Sequence, residues 1–204
     1  MGGGVEGLAR WRRRGRPRRA GGGAVKRAAV RALLREHLAV AADAREAEMT
    51  AAILRFVEAH ADCLERTCAP GHLTGSAWIV DPARRRVLLV HHRKLGKWLQ
   101  PGGHADGEPD LLAVARREAR EETGLTRLRT VSPAVFDADR HWIPPGGDTP
   151  GHWHHDLRFL LEADPAEALV VSDESHDVRW VGLADVPVLN SEESLLRMVS
   201  KTIP

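Results

Sequence analysis

Apolar residues recur at helical spacing twice near the start of the chain. Val30, Leu33, Leu34 and Leu38 share one face of a segment from Val25 to about Ala42, and Met49, Ile53, Phe56, Val57 and Leu64 share one face of a second. Between them, Asp43 and Glu46 have the spacing of a capping box. The pair predicts a helical hairpin over residues 24–69, closed by Pro70-Gly71, that supports the core or forms a homodimer face. After Gly71 the pattern changes to short β-like runs, Ser76 to Val80 and Val87 to His91, with turn chemistry at Asp81-Pro82. A helix is predicted from Pro109 or Asp110 to Glu122, with Pro109 at its first position and Gly124 as its C-terminal cap. Val131 to Phe136, His155 to Leu161 and Val178 to Val181 read as further strands. Glu192 to Ile203 reads as a closing helix capped by Asn190 and Glu193. Strands and helices alternate without a repeat, which predicts an α/β fold whose mixed sheet is covered by helices on both faces.

The length of 204 residues accommodates one such domain and a modest extension, not a second large domain. With 43% hydrophobic and 28% charged residues the composition is that of a soluble globular protein, and no apolar run is long enough to span a bilayer. The net charge of +2 conceals an asymmetry. Residues 1–27 hold nine Arg or Lys and one acid, Glu6; removing these from the 30 basic and 28 acidic residues leaves 21 and 27, so the body is acidic. Residues 1–23, rich in Gly and Arg, are expected to form a disordered basic tail, the one part of the chain suited to nucleic acid or an anionic surface. The tail has no apolar stretch of the secretory kind, and Glu6 stands where a myristoylation motif needs Ser or Thr. Two cysteines, Cys63 and Cys68, are too few for a disulfide framework and fit a reducing, cytoplasmic setting.

The chemistry is concentrated in Arg117-Glu118-Ala119-Arg120-Glu121-Glu122-Thr123-Gly124-Leu125. Glu118, Glu121 and Glu122 lie at i, i+3 and i+4 and project from one helical face. Three crowded carboxylates repel one another, and a hard divalent cation supplies the missing positive charge. Just upstream, Gly102 and Gly103 are expected to allow unusual backbone angles before the helix. From Gly103 to Leu125 the chain resembles the Nudix box: Gly103, Arg117, Glu118, Glu121, Glu122, Gly124 and an apolar Leu125 are in register, preceded by Pro101-Gly102. One position departs from the pattern. Pro109 stands where the box has its first Glu, with Glu108 on one side as a substitute and Asp110 on the other.

The resemblance implies a Nudix-like α/β/α sandwich and a hydrolase that cleaves a phosphoanhydride bond in a nucleoside diphosphate linked to another moiety. It implies Mg2+, with Mn2+ as the alternative ion. Glu118 and Glu122 would be the principal ligands, Glu121 would share coordination or take a proton from water, and the carbonyl of Gly102 would complete the site, while Arg117 would hold the carboxylates in place. Many relatives place another acid on a loop, and Glu174 in Ser172-Asp173-Glu174-Ser175-His176 is the choice here. The alternative is a non-catalytic Nudix-like nucleotide-binding or regulatory module. An isoprenoid diphosphate isomerase on the same fold is disfavoured, because both cysteines precede the first predicted sheet strand.

The run His152-Trp153-His154-His155 raises the question of zinc. On a strand, His152 and His154 share a face with Asp156 and Arg158, whereas His155 joins Leu157 and Phe159 on the other, so the run does not converge locally on one ion. His154, Asp156 and Arg158 are instead expected to form a polar face for the nucleotide substrate. Trp98 and Trp142 read as wall or core packing.

Overall fold

The computed structural model describes residues 21–147 and 149–203. The expected basic tail lies outside the described residues except for its last three, which open helix α1, Gly21–Val40. A second helix, α2, Ala44–Ala59, completes the hairpin. The chain then forms β1 Gly71–Val80, β2 Arg86–His92, β3 Lys97–Leu99, β4 Gly102–His104, α3 Leu111–Thr123, β5 Arg129–Thr130, β6 Asp137–Ile143, β7 His152–Glu162 and β8 Ser175–Gly182. A 3-10 turn, Leu183–Asp185, leads to α4 Val186–Leu189 and α5 Glu193–Thr202. No described helix is long and apolar enough to cross a membrane.

The sheet is mixed. Its spine runs β3-β2-β1-β7-β5, with β4 also on β1, β6 on β7 and β8 on β2. The β1–β7 pair is parallel, in register from Gly71 opposite Trp153 to Val80 opposite Glu162; the other pairs are antiparallel. Every residue of β1 is buried, as a central strand covered on both faces must be. Leu73, Ala77 and Ile79 point into one core with Val30, Leu34, Ile53 and Val57 of the hairpin and Val114, Ala115 and Ala119 of α3. Trp78 and Val80 point the other way, against Leu195 and Met198 of α5. The hairpin's apolar stripe is thus buried on its own chain, and the fold is a sheet between helical layers.

Four local expectations need correction, the first being the cap of α5: its N-cap is Glu192 without a side-chain cap bond, and Asn190 instead accepts from Glu192 N at 2.9 Å. Val131–Phe136 is not a strand: Pro133 has no N–H to give a ladder, and the segment loops out between hydrogen bonds from Val131 N to Leu160 O and from Phe136 N to Arg158 O. The strand proper, β6, follows it. At the start of α3, Asp110 is the N-cap and accepts from Ala113 N at 3.0 Å, so Pro109 precedes the helix. Asp43 does cap α2, accepting from Glu46 N at 2.8 Å, but Glu46 does not reach back to complete a box. Its fully buried carboxylate turns inward to His37 Nε2 at 2.8 Å, Lys201 Nζ and Ala138 N.

Glu46 begins a chain of buried charge. Lys201 also donates to Asp137 at 3.0 Å, and Arg197 donates twice to Asp137, at 2.8 and 2.9 Å. Arg158 then contacts Asp137 at 3.2 Å, Asp139 at 3.3 Å and Asp156 at 2.9 Å. Four carboxylates thus meet three cations. Breaking such a set by removing one member leaves an uncompensated buried charge, which costs roughly 3–5 kcal/mol.

Burial works against the charges on Glu46 and Asp139. Hydrogen bonds from His37 and Lys201 overcome it at Glu46; His141, Arg158 and Arg197 overcome it at Asp139; both carboxyls are lowered to about 2. Because these folded-state values lie below the ordinary values of 4.5 and 3.8, the stabilisation is present above that range and is lost as pH falls through about 2. Urea midpoints should therefore fall steeply between about pH 4.5 and 2, a loss on the order of several kcal/mol. Lys201→Met should be less stable at pH 6 and show a shallower acid loss; an unchanged acid slope would remove Lys201 from the account.

Candidate active site

Leu111, Val114, Ala115 and Ala119 bury the apolar side of helix α3, and Gly124 ends the helix in the left-handed conformation at φ 75°. Toward the C-terminal end the same side carries Glu118, largely covered, and Glu122, buried, while Glu121 lies at its exposed edge. Arg117 lies among them, with its guanidinium 2.9 Å from Glu118, 3.8 Å from Glu121 and 3.1 Å from the carbonyl of His104. The α3 face is thereby tied to β4.

Gly102 and Gly103 serve this arrangement by allowing close approach. Both adopt ordinary negative φ, contrary to the expectation of unusual angles. A Cβ on Gly103 would stand 2.4 Å from Glu118 Cδ, and one on Gly102 would stand 2.1 Å from Ser76 Oγ. Only a strand without side chains lets α3 bring its carboxylates this near. Gly102 N–H donates to Glu122 Oε1 at 2.9 Å, which fixes that carboxylate.

Glu122 is 8% exposed, and burial, followed by the charges of Glu118, Glu174 and Glu121, pushes its pKa up to about 8 despite the Gly102 N–H. Glu118 is raised as well, by burial first and then by Glu121 and Glu174 against the pull of Arg117. Four carboxylates therefore share one electrostatic neighbourhood, three from α3 and one, Glu174, from the loop before β8. The donor set is all oxygen and carries more negative charge than Arg117 can offset. It fits a hard divalent cation.

Sequence reasoning missed the side chain that positions this loop. Arg93 donates to the carbonyls of Asp173, at 3.0 Å, and Ser175, at 2.9 Å, and its own N–H bonds to Glu174 O at 2.8 Å. Arg93 sits in a turn some 80 residues away, with no local signal of that role. Arg66 was also missed. It forms a bidentate pair with Asp106, at 2.6 and 2.7 Å, while Lys26 reaches Gly107 O at 2.6 Å, so the hairpin side of the molecule steadies the loop that leads into α3. Glu108, the nearest acid to the substituted box position, is exposed and accepts from Asp110 N at 3.0 Å.

The face expected to receive substrate is different at two of its three positions. Asp156 and Arg158 are each 2% exposed. Asp156 accepts from Thr74 at 2.9 Å, Ser76 at 2.8 Å and Arg158 at 2.9 Å, and Arg158 is held by three aspartates. They brace the sheet beneath Gly102. His154 keeps some surface and stands among His72, His104, His141 and His152. Burial first, then the other imidazoles, lowers His72 to about 4 and His154 to about 2; burial and Arg66 lower His104 to about 4. Trp98 packs as wall, stacked on His91 at 5.0 Å and with the Arg179 guanidinium 4.3 Å from its ring centroid, and Trp142 is half exposed.

Comparison with known proteins agrees with this construction. The NUDIX domain model matches residues 72–201. Phosphatase NudJ of Escherichia coli strain K12 and of Shigella flexneri are each 30% identical over 109 residues, 51% of this chain. The match spans 65% of the length of those relatives. Among solved structures, a Caenorhabditis elegans Ap4A hydrolase binary complex superimposes with a TM-score of 0.50 at 18% identity, covering 63% of this chain and 93% of that one. The Escherichia coli dihydroneopterin triphosphate pyrophosphohydrolase gives 0.50 at 16% identity, covering 63% and 92%. These two likenesses establish the shared fold, and the domain match over well more than half of the sequence establishes that the chain belongs to the Nudix family.

Proposed function

We propose that the protein is a Mg2+-dependent pyrophosphohydrolase that cleaves the phosphoanhydride bond of a nucleoside diphosphate linked to another moiety: a nucleoside triphosphate, a nucleotide sugar or ADP-ribose. One observation carries the reading: Glu118 packs against Gly103 and Glu122 accepts from Gly102 N–H at 2.9 Å, so both carboxylates meet the same short strand, and the charges of Glu121 and Glu174 bear on them. Kinship with a phosphatase, NudJ, supports hydrolysis at phosphorus.

Glu118 and Glu122 would hold the ion with the carbonyl of Gly102, and Mn2+ suits the same oxygen donors. When bound, the ion neutralises the diphosphate and makes a water more acidic. Arg117 keeps Glu118 in place, and Gly102 N–H keeps Glu122 in place, so the carboxylates need little rearrangement during reaction. Glu121, the most exposed acid of α3, takes the proton of the attacking water as its oxygen bonds to phosphorus and the bridging anhydride oxygen departs with the leaving phosphate. Glu174, held by the Arg93 contacts to its loop, is the second acid at the same patch.

The test is product release from nucleoside triphosphates, nucleotide sugars, ADP-ribose and dinucleoside polyphosphates, with Mg2+ or with chelator. Turnover should require the ion, fall about 10²–10³-fold in Glu122→Gln and about 10-fold in Glu174→Gln. Hydrolysis that persists in chelator or in Glu122→Gln would refute the assignment. No turnover across the panel, with Mg2+ still bound, would point to a nucleotide-binding module.

A second outcome concerns stability. The folded-state pKa of Glu122 lies above 4.5, so its ionisation costs stability as pH rises from about 4.5 through about 8. In chelator at pH 8, Glu122→Gln should therefore melt higher than wild type, by roughly 1–3 kcal/mol, and the gain should vanish at pH 4. Mg2+ should raise the wild-type midpoint and leave the variant nearly unmoved. Equal midpoints for the two proteins at pH 8 would show that this carboxylate is not held at high energy.

A further inference from the structure

We infer that His72, His152 and His154 form a site for one borderline transition ion of the Zn2+ class, separate from the glutamates of α3. Each offers a ring nitrogen, and the three nitrogens lie within 4.8 Å of one another. They come from two strands. The parallel register places His72 opposite His154, and His152 precedes His154 by two residues on the same face of β7.

The orientation of the rings argues for a ligand. His152 Nδ1 lies 2.8 Å from the carbonyl of Pro150, which can only accept, so Nδ1 carries the proton and Nε2 the lone pair. That Nε2 faces His154 Nε2 at 3.3 Å. Two nitrogens bound to a tetrahedral Zn2+ at about 2.0–2.1 Å stand about 3.3 Å apart, so this pair already has the edge length of the coordination tetrahedron. A backbone carbonyl on the far nitrogen is the outer contact that orients metal-bound imidazoles.

His72 supplies the second argument. It is 4% exposed, and among the described residues neither of its ring nitrogens has a hydrogen-bond partner. Buried polar groups are almost always satisfied, and an ion beside His152 and His154 would take the lone pair of one of these nitrogens. His104 borders the group, with its ring 4.8 Å from His72 and 5.0 Å from His154. His141 borders the group at 5.5 Å from His154, its Nδ1 3.3 Å from Asp139. Nitrogen donors select zinc-like ions, whereas Mg2+ requires oxygen, so the two sites are distinguished by their ligands.

The test uses the full chain, stripped with chelator and returned to buffer with excess Mg2+. Titration with Zn2+ by calorimetry, and with Co2+ by visible absorption, should give one ion per chain. His152→Ala and His154→Ala should each weaken Zn2+ binding by at least about 100-fold and abolish the tetrahedral Co2+ spectrum. In wild type, Zn2+ should move the ring ¹⁵N resonances of His72, His152 and His154, a readout that does not depend on a variant folding. Cys68→Ser tests the other convergent group, His60, Asp62 and Cys68, and should leave the binding unchanged. Binding no tighter than millimolar, binding that survives both histidine variants, or binding lost in Cys68→Ser or Glu122→Gln would overturn the inference.

Discussion

The parallel pairing of β1 with β7 is the constraint on which the rest of the molecule depends. It joins segments about eighty residues apart and holds them in register over the full length of β1. On one face it sets Leu73, Ala77 and Ile79 beside Leu157, Phe159 and Leu161, and this floor receives both the hairpin and α3. On the other face it sets His72, Thr74 and Ser76 opposite His154, Asp156 and Arg158. Strand β4 pairs with β1 at Thr74 to Ser76, so the position of Gly102 beneath Glu122 follows from the same register. A slip by one residue would exchange the two faces, burying polar groups in the apolar floor.

The ionic chain through Arg158 secures that register from the side. Asp137 and Asp139 alternate with Ala138 on β6, so the carboxylates share the Arg158 face while Ala138 enters the larger core. Arg197 and Lys201 of α5 approach the same carboxylates, and Lys201 continues to Glu46 of α2. Hairpin, closing helix and two strands are thereby matched by charge as well as by apolar surface. Hydrophobic burial is non-directional. Paired, hydrogen-bonded ions discriminate between registers, since a misplaced partner leaves a buried charge unmatched.

Legibility in the sequence followed the range of the interaction. The helix α3 and its cap at Gly124 were readable because each rests on spacing within a short segment, whereas Gly102 and Gly103 were expected to serve unusual angles and instead serve close approach. The mixed, helix-covered sheet was readable from the alternation of elements. Val131–Phe136 misled because its apolar residues outweighed Pro133 in the pattern. Glu46 misled because the spacing of a cap says nothing about a lysine at position 201. Asp156 and Arg158 were correctly placed on one face, but whether that face is open or sealed depends on Thr74, Ser76, Asp137 and Asp139, which arrive from other strands. Of the histidine run, His152 and His154 meet within β7, against the expectation that the run would not converge, and the third histidine, His72, enters only through the register of β1.

Burial acts on the two polar clusters in opposite chemical senses. It raises the carboxyls of Glu118 and Glu122 and lowers the imidazoles of His72, His104 and His154, because in each case the charged form loses water. The carboxylates become costly anions that gain from a divalent cation, while the imidazoles remain neutral with their lone pairs free. Hard oxygen donors on α3 and borderline nitrogen donors on β1 and β7 therefore coexist without neutralising each other, since a neutral histidine is a poor partner for a glutamate. Arg117 and Arg66 contribute to this separation by pairing Glu118 of α3 and Asp106 of the loop after β4. A helix and the strands beneath it can in this way hold two kinds of ligand chemistry in one molecule, each set by the same withdrawal of solvent.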